Sequence, residues 1–248
     1  MSRAPVHRPQ RPAVTSRLQR ALSIVPIDAA VVPSGELLAW LGQPLDLHSA
    51  SELADVLSTQ GARGAREEPV KPVPGQGGAA ETLGSCEETL LAVQRGVLGE
   101  LVRSFTAAEG ALLPLPRFDA SSSLDGLSAA ERLRRFHAAW QREMELRIQA
   151  LRRDLRARLR RVSPALAGLA ALDEALERHV MRAGEAALAI VPPLLVPRWE
   201  ALLANDADAG SQDLLISELR ELLLAELEQR LQPALGLVEA CTAHGEGN

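Results

Sequence analysis

The sequence predicts an all-α protein, an elongated antiparallel helical bundle carrying a small N-terminal helical module. Three observations lead there. Apolar residues make up 46% of the 248 positions, but they are mainly Leu and Ala, with three Phe, three Trp and no Tyr. Ala, Leu, Arg and Glu favour helices, whereas strands select β-branched and aromatic side chains. Long segments also repeat apolar residues at steps of three and four, the period of one helix face.

Residues 1–12 are rich in Pro and Arg and are expected to be a disordered tail. Residues 13–59 read as a helical module. Leu18, Ala21, Leu22 and Val25 form one short face that Pro26 ends. Leu37, Leu38, Trp40 and Leu41 form a second, closed by Gly42, and Leu53, Val56 and Leu57 a third. Residues 60–84 combine glycines with Pro69, Pro72 and Pro74 and carry few large apolar side chains, so they are expected to be a flexible linker.

The bundle is expected over 85–243. Its first helix starts near Cys86 with Ser85 as cap and runs to about Ala108. Its stripe holds Leu90, Leu91, Val93, Val97, Leu98, Leu101, Val102 and Phe105. Gly96 and Gly99 weaken this helix by about 1 kcal/mol each relative to Ala, and their presence suggests close approach to a neighbour. A loop follows over 110–126. Ser128 with Glu131 then has capping-box spacing ahead of the longest stripe, Leu133, Phe136, Trp140, Met144, Ile148, Leu151, Leu155, Leu159 and Val162.

Ser163-Pro164 is expected to end that helix and begin the next, an antiparallel hairpin. Leu166 to Ile190 continue the pattern until Pro192-Pro193, where a break is expected before a short helix over 194–203. The last helix is expected from Asp213 to about Cys241, kinked at Pro233.

The formal net charge of −5 conceals an uneven layout, and among basic residues only Lys71 is a lysine. Such an Ala/Arg/Leu-rich, Lys-poor composition points to a GC-rich, bacterial coding sequence. Residues 131–161 hold eleven arginines against four acids, about +7, and residues 213–239 carry about −4. Two readings stay open. In one, these helices lie side by side with their charges paired, each surface pair worth only about 0–1 kcal/mol. In the other, Arg152, Arg153, Arg156, Arg160 and Arg161 face a partner: an acidic protein, anionic lipid or nucleic acid. Stacking aromatics are scarce beside them, which disfavours nucleic acid.

No enzyme signature is present. His7, His48, His137, His179 and His244 lack metal-ligand spacing, and HExxH, GxSxG and a P-loop are missing. A site joining His137 and His179 with Glu143 or Glu174 is one alternative, but solvated helix-face histidines are the expectation. Trp40, Trp140 and Trp199 are expected in the core. Cys86 and Cys241 have no CxxC spacing. A single bridge between them is open, and two unpaired thiols are the expectation. The N-terminus lacks the apolar core of a signal peptide and no stretch reads as a transmembrane helix, so cytoplasmic localisation is expected.

Several stretches carry a family resemblance. They are Thr15-Ser16-Arg17-Leu18, Gly35 to Gly42, Leu47 to Leu57, Gln141 to Arg152, Ser163 to Asp173, and Glu221 to Ala240. Together they resemble a proteobacterial helical family catalogued only as a domain of unknown function. The resemblance covers most of the chain outside the linker and implies no catalytic residue. It also implies genes beside membrane components similar to ion-driven motor or cell-wall-anchoring proteins, hence an accessory role at a membrane-associated complex.

The functional expectation is a non-enzymatic interaction or scaffold protein without a cofactor, docking a protein partner or a second copy through its long helices. The alternative is a nucleic-acid-binding regulator using the arginine-rich helix 131–161.

Overall fold

The computed structural model describes residues 77–106, 108–118, 126–177, 182–204 and 209–246. The tail 1–12, the module 13–59 with Trp40, residues 60–76 and His179 lie outside the described residues. Five helices are described: α1 (Gly77–Phe105), α2 (Ala129–Val162), α3 (Pro164–Leu176), α4 (Arg182–Ala204) and α5 (Ala209–Glu246). No strand occurs among the described residues, and the class is all-α.

α2 is the spine. At 34 residues it is roughly 50 Å long. Ser128 Oγ accepts from Glu131 N–H at 3.1 Å, but the Glu131 carboxylate turns to Arg134 and Arg135, so half of the expected capping box forms. Every residue of the predicted stripe from Leu133 to Leu159 is buried, and Val162 is partly so. α2 packs against all four other helices, as does α5.

Side-chain pairings give the directions. Ser85 meets Arg158 while Phe105 meets Phe136, so α1 runs antiparallel to α2. Glu226 meets His137 and Arg230 meets Glu145, so α5 runs parallel to α2. α3 returns beside α2 from Ser163, whose hydroxyl accepts from Leu166 N–H at 3.3 Å with Pro164 opening the helix. α4 continues the same returning arm.

Several helix limits differ from expectation. α1 begins at Gly77, inside the stretch read as linker. Ala79, Ala80 and Glu81 are good helix formers, and extending an existing helix costs far less than nucleating one. Gly96 and Gly99 face open space, so no close approach explains them. Leu91 and Val102 fall outside the buried face of α1.

No break occurs at Pro192-Pro193, where one was expected: Pro192, Pro193 and Pro197 are all inside α4. An interior proline costs about 3 kcal/mol. Leu188, Val191, Leu195, Trp199 and Leu202 keep one buried stripe in phase across these prolines. Fully burying such side chains contributes about 1.5–3 kcal/mol each, enough to carry the helix through. α5 starts at Ala209, earlier than expected, and continues through Pro233.

Between α1 and α2, Gly110 adopts φ 76°, a left-handed conformation that glycine takes without steric cost. It turns the chain so that Leu113, Leu115 and Phe118 pack on the core, while Leu115 N–H reaches Ser104 O at 3.3 Å.

Candidate functional site

The arginines of α2 divide into three groups. Arg152 and Arg156, one turn apart, face Asp173 and Glu177, one turn apart on α3. Arg152 donates to Asp173 Oδ1 at 2.7 Å, and Arg156 to Asp173 Oδ2 at 3.2 Å and Glu177 Oε2 at 2.6 Å. Arg152 is 1% exposed and Arg156 is 3%. These two side chains therefore belong to the hairpin and not to a partner surface. The signal was present in the sequence: Arg152 and Asp173 are nearly equidistant from the Ser163 turn, and both helices repeat their charge at i, i+4.

A second group is paired within α2 or with its near neighbours. Arg134 pairs with Glu131 at 2.7 Å, Arg147 with Glu143 at 2.5 Å and Arg158 with Asp154 at 2.8 Å. Arg160 reaches Glu174 on α3, and Arg132 donates to Arg117 O at 3.1 Å. The hydrogen bonds from Arg134 hold the Glu131 carboxyl below its ordinary pKa. None of these arginines pairs with an acid of α5. Although α2 and α5 lie side by side, the arginine–carboxylate pair that joins them among the described residues runs the other way, from Arg230 of α5 to Glu145 of α2.

The third group is Arg142, Arg153 and Arg161, all exposed and with no acidic partner among the described residues. They share one line with Leu146, Ala150 and Ala157. The steps of this line are four, four, three, four and four, so it follows a single face of α2. Leu146 is 63% exposed. Beside it a groove of about 390 Å³ opens between α2, α4 and α5, with Ala138, Leu146 and Ala189 as apolar lining and Arg142, Gln141 and Arg230 among its polar residues.

Of the five arginines expected to meet a partner, Arg153 and Arg161 are exposed and unpaired, Arg160 is exposed on Glu174, and Arg152 and Arg156 are internal. Arg142 and Leu146 were not singled out from sequence. The signal for them is negative: they occupy the arc of α2 left over once the apolar stripe and the carboxylate-paired positions are removed.

Beneath the groove lies a polar cluster that the sequence did not reveal. His137, expected on a solvated face, is fully buried, with Nε2 2.8 Å from Glu226 Oε1. Gln141 Nε2 donates to both Glu226 oxygens, at 3.2 and 3.0 Å, and to Leu188 O at 2.8 Å. The Trp199 ring stands 6.2 Å from the His137 ring. Glu143 and Glu174, considered as partners for His137, bind arginines instead. The cluster ties α2, α4 and α5 together through groups that would be costly to bury unpaired. Since His137 and Glu226 are both closed to solvent, no reactant reaches the pair in this conformation. Trp140 and Trp199 are core residues, as expected.

Among the described residues, no group of three or more His, Cys, Asp or Glu side chains is arranged to hold a metal ion, and no helix is long and apolar enough to cross a membrane. The chain belongs to the DUF3348 family of proteins of unknown function, whose family profile matches residues 6–243. No curated protein and no solved structure matches it.

Proposed function

We propose that this member of the DUF3348 family is a non-enzymatic docking protein whose α2 face receives an acidic amphipathic helix from a protein partner. The observation behind this reading is the line Arg142, Leu146, Ala150, Arg153, Ala157 and Arg161. One large apolar side chain and two alanines lie among three arginines that have no acid to pair with among the described residues. Alanines let a second helix approach closely, Leu146 supplies an anchor, and the arginines offer bidentate contacts to carboxylates. The sealing of the His137–Glu226 pair favours a binding role over a catalytic one. The resemblance noted from sequence adds an accessory role at a membrane-associated complex as the setting.

The test uses the full chain, wild type beside R142E/R153E/R161E and beside Leu146→Asp, with helicity and melting checked for each. Affinity capture from the source cells is expected to yield a partner that both variants lose. Sedimentation velocity on the same samples distinguishes a second copy as the occupant. Identical captured proteins for all three samples would remove the basis for the reading. Retention of nucleic acid instead, weakening steeply with salt and lost in the arginine variant, would assign the same face to a polyanion.

A further inference from the structure

Cys86 and Cys241 are the only cysteines in the chain, and folding brings them together. Cys86 is the first described core residue of α1 and Cys241 the last of α5; they are 0% and 1% exposed. The two helices pack on one another, both thiols belong to the same core cluster, and each influences the other's ionisation, which makes them neighbours there. Both are thiols in this structure. With no third cysteine, one intramolecular pairing exists and no wrong pairing competes with it.

We propose that Cys86 and Cys241 are a disulfide site, closed during folding by exchange with a low-molecular-weight disulfide, which ties the start of α1 to the end of α5. In the first step one protein thiolate attacks the small disulfide. A protein–small-molecule S–S bond forms, the original S–S bond breaks, and one small thiolate leaves and takes up a proton. In the second step the other cysteine gives up its proton and attacks the protein sulfur of that mixed disulfide, expelling the second small thiol. Two protein thiols are oxidised by two electrons in all, and one small disulfide is reduced to two thiols.

Burial sets the timing. The attacking species is the thiolate, and desolvation, followed by the influence of Cys241, pushes Cys86 up to about 11. Little of this thiolate is then present at neutral pH, and the surrounding core excludes the oxidant. Exchange therefore belongs to the interval before the two helix ends seat, or to their transient opening. The same enclosure protects the bond from reductants once it has formed.

The test compares two arms with reduced full-length protein in one glutathione redox mixture. In the first the protein is refolded from denaturant in that mixture, and in the second it is already folded when the mixture is added. Intact mass and alkylation after unfolding are read over time. The refolded arm is expected to become lighter by two hydrogens, carry no glutathione, resist alkylation until reduced, and melt higher by about 4–16 °C. The folded arm is expected to convert far more slowly. Refolded chains that keep both thiols free, or that carry glutathione on either cysteine, would overturn the site. Equal rates in the two arms would overturn its dependence on folding. C86S/C241S supplies the melting reference, and the mass measurements on wild type decide the matter even if that variant folds poorly.

Discussion

Arg152 and Asp173 hold one another at 2.7 Å inside the hairpin of α2 and α3, with both side chains almost closed to solvent. Arg156 and Glu177 extend the pair into a four-residue lattice. An arginine that looks like part of an exposed basic stripe in one dimension is here an internal cross-link. Its worth depends on completeness, because a buried charge that loses its partner is costly, whereas apolar replacement of the whole set is close to neutral.

Asp173→Ala is therefore expected to destabilise the protein by about 3–5 kcal/mol, leaving two buried guanidiniums with Glu177 alone. Replacing Arg152, Arg156, Asp173 and Glu177 together with Met and Leu is expected to recover most of that loss. Urea unfolding of the two variants beside wild type checks both statements. A loss under 1 kcal/mol for Asp173→Ala would mean that water enters the hairpin and screens the charges.

His137 and Glu226 are expected to be coupled. Each single alanine variant strands a buried polar partner, so the double variant should cost less than the sum of the two, with a coupling of about 0.5–3 kcal/mol. Additive losses in a double-mutant cycle would show that the two side chains contribute independently. Gln141→Leu belongs beside them, since it releases Leu188 O as well as the Glu226 carboxylate.

These two clusters show where the sequence was readable and where it was not. The α2 stripe was legible because Leu133, Phe136, Trp140 and Met144 repeat with the helix period, and one buried face is enough to create that pattern. His137 and Gln141 were not, although each directly follows a stripe residue, Phe136 and Trp140. They widen the buried arc with polar groups, and their partners, Glu226 for both and Leu188 O for Gln141, lie far away in the chain. The α4 prolines misled for a related reason. A local rule about backbone donors was outweighed by burial of Val191, Leu195 and Trp199, which depends on what lies across the bundle. The exposed face of α2 was half legible, because charge density marks arginines without telling which of them are already paired.

Pro193 and Pro197 are exposed within α4. Replacing either with Ala restores a backbone donor and relieves the ring's clash with the preceding turn, and is expected to stabilise the protein by about 1–3 kcal/mol. Thermal melting of Pro193→Ala and Pro197→Ala reads this directly. Unchanged or lowered melting would mean that α4 is bent at these residues in a way the core requires.

The raised pKa of Cys86 carries a pH signature in the reduced protein. The unfolded thiol ionises near its ordinary value of 9.0, while the folded one holds its proton up to about 11. Between those values the native state binds more protons than the unfolded state, so stability is fully present below pH 9 and falls as pH rises towards 11. Melting measured from pH 8 to 11 is expected to decline more steeply for reduced wild type than for Cys86→Ser. Parallel declines would show that the thiol is solvated. In the bridged protein this contribution is abolished, because no proton remains to be lost.

The meeting of Cys86 with Cys241 also makes the helical body nearly circular in connectivity. The outer ends of α1 and α5 lie at one pole, so a body of residues 77–246 re-cut in the loop between α1 and α2, with Gly77 and Glu246 joined by a short glycine bridge, keeps every helix neighbour it has now. Permutability of that kind would mark the body as one defined by which helices touch, and largely indifferent to where synthesis begins.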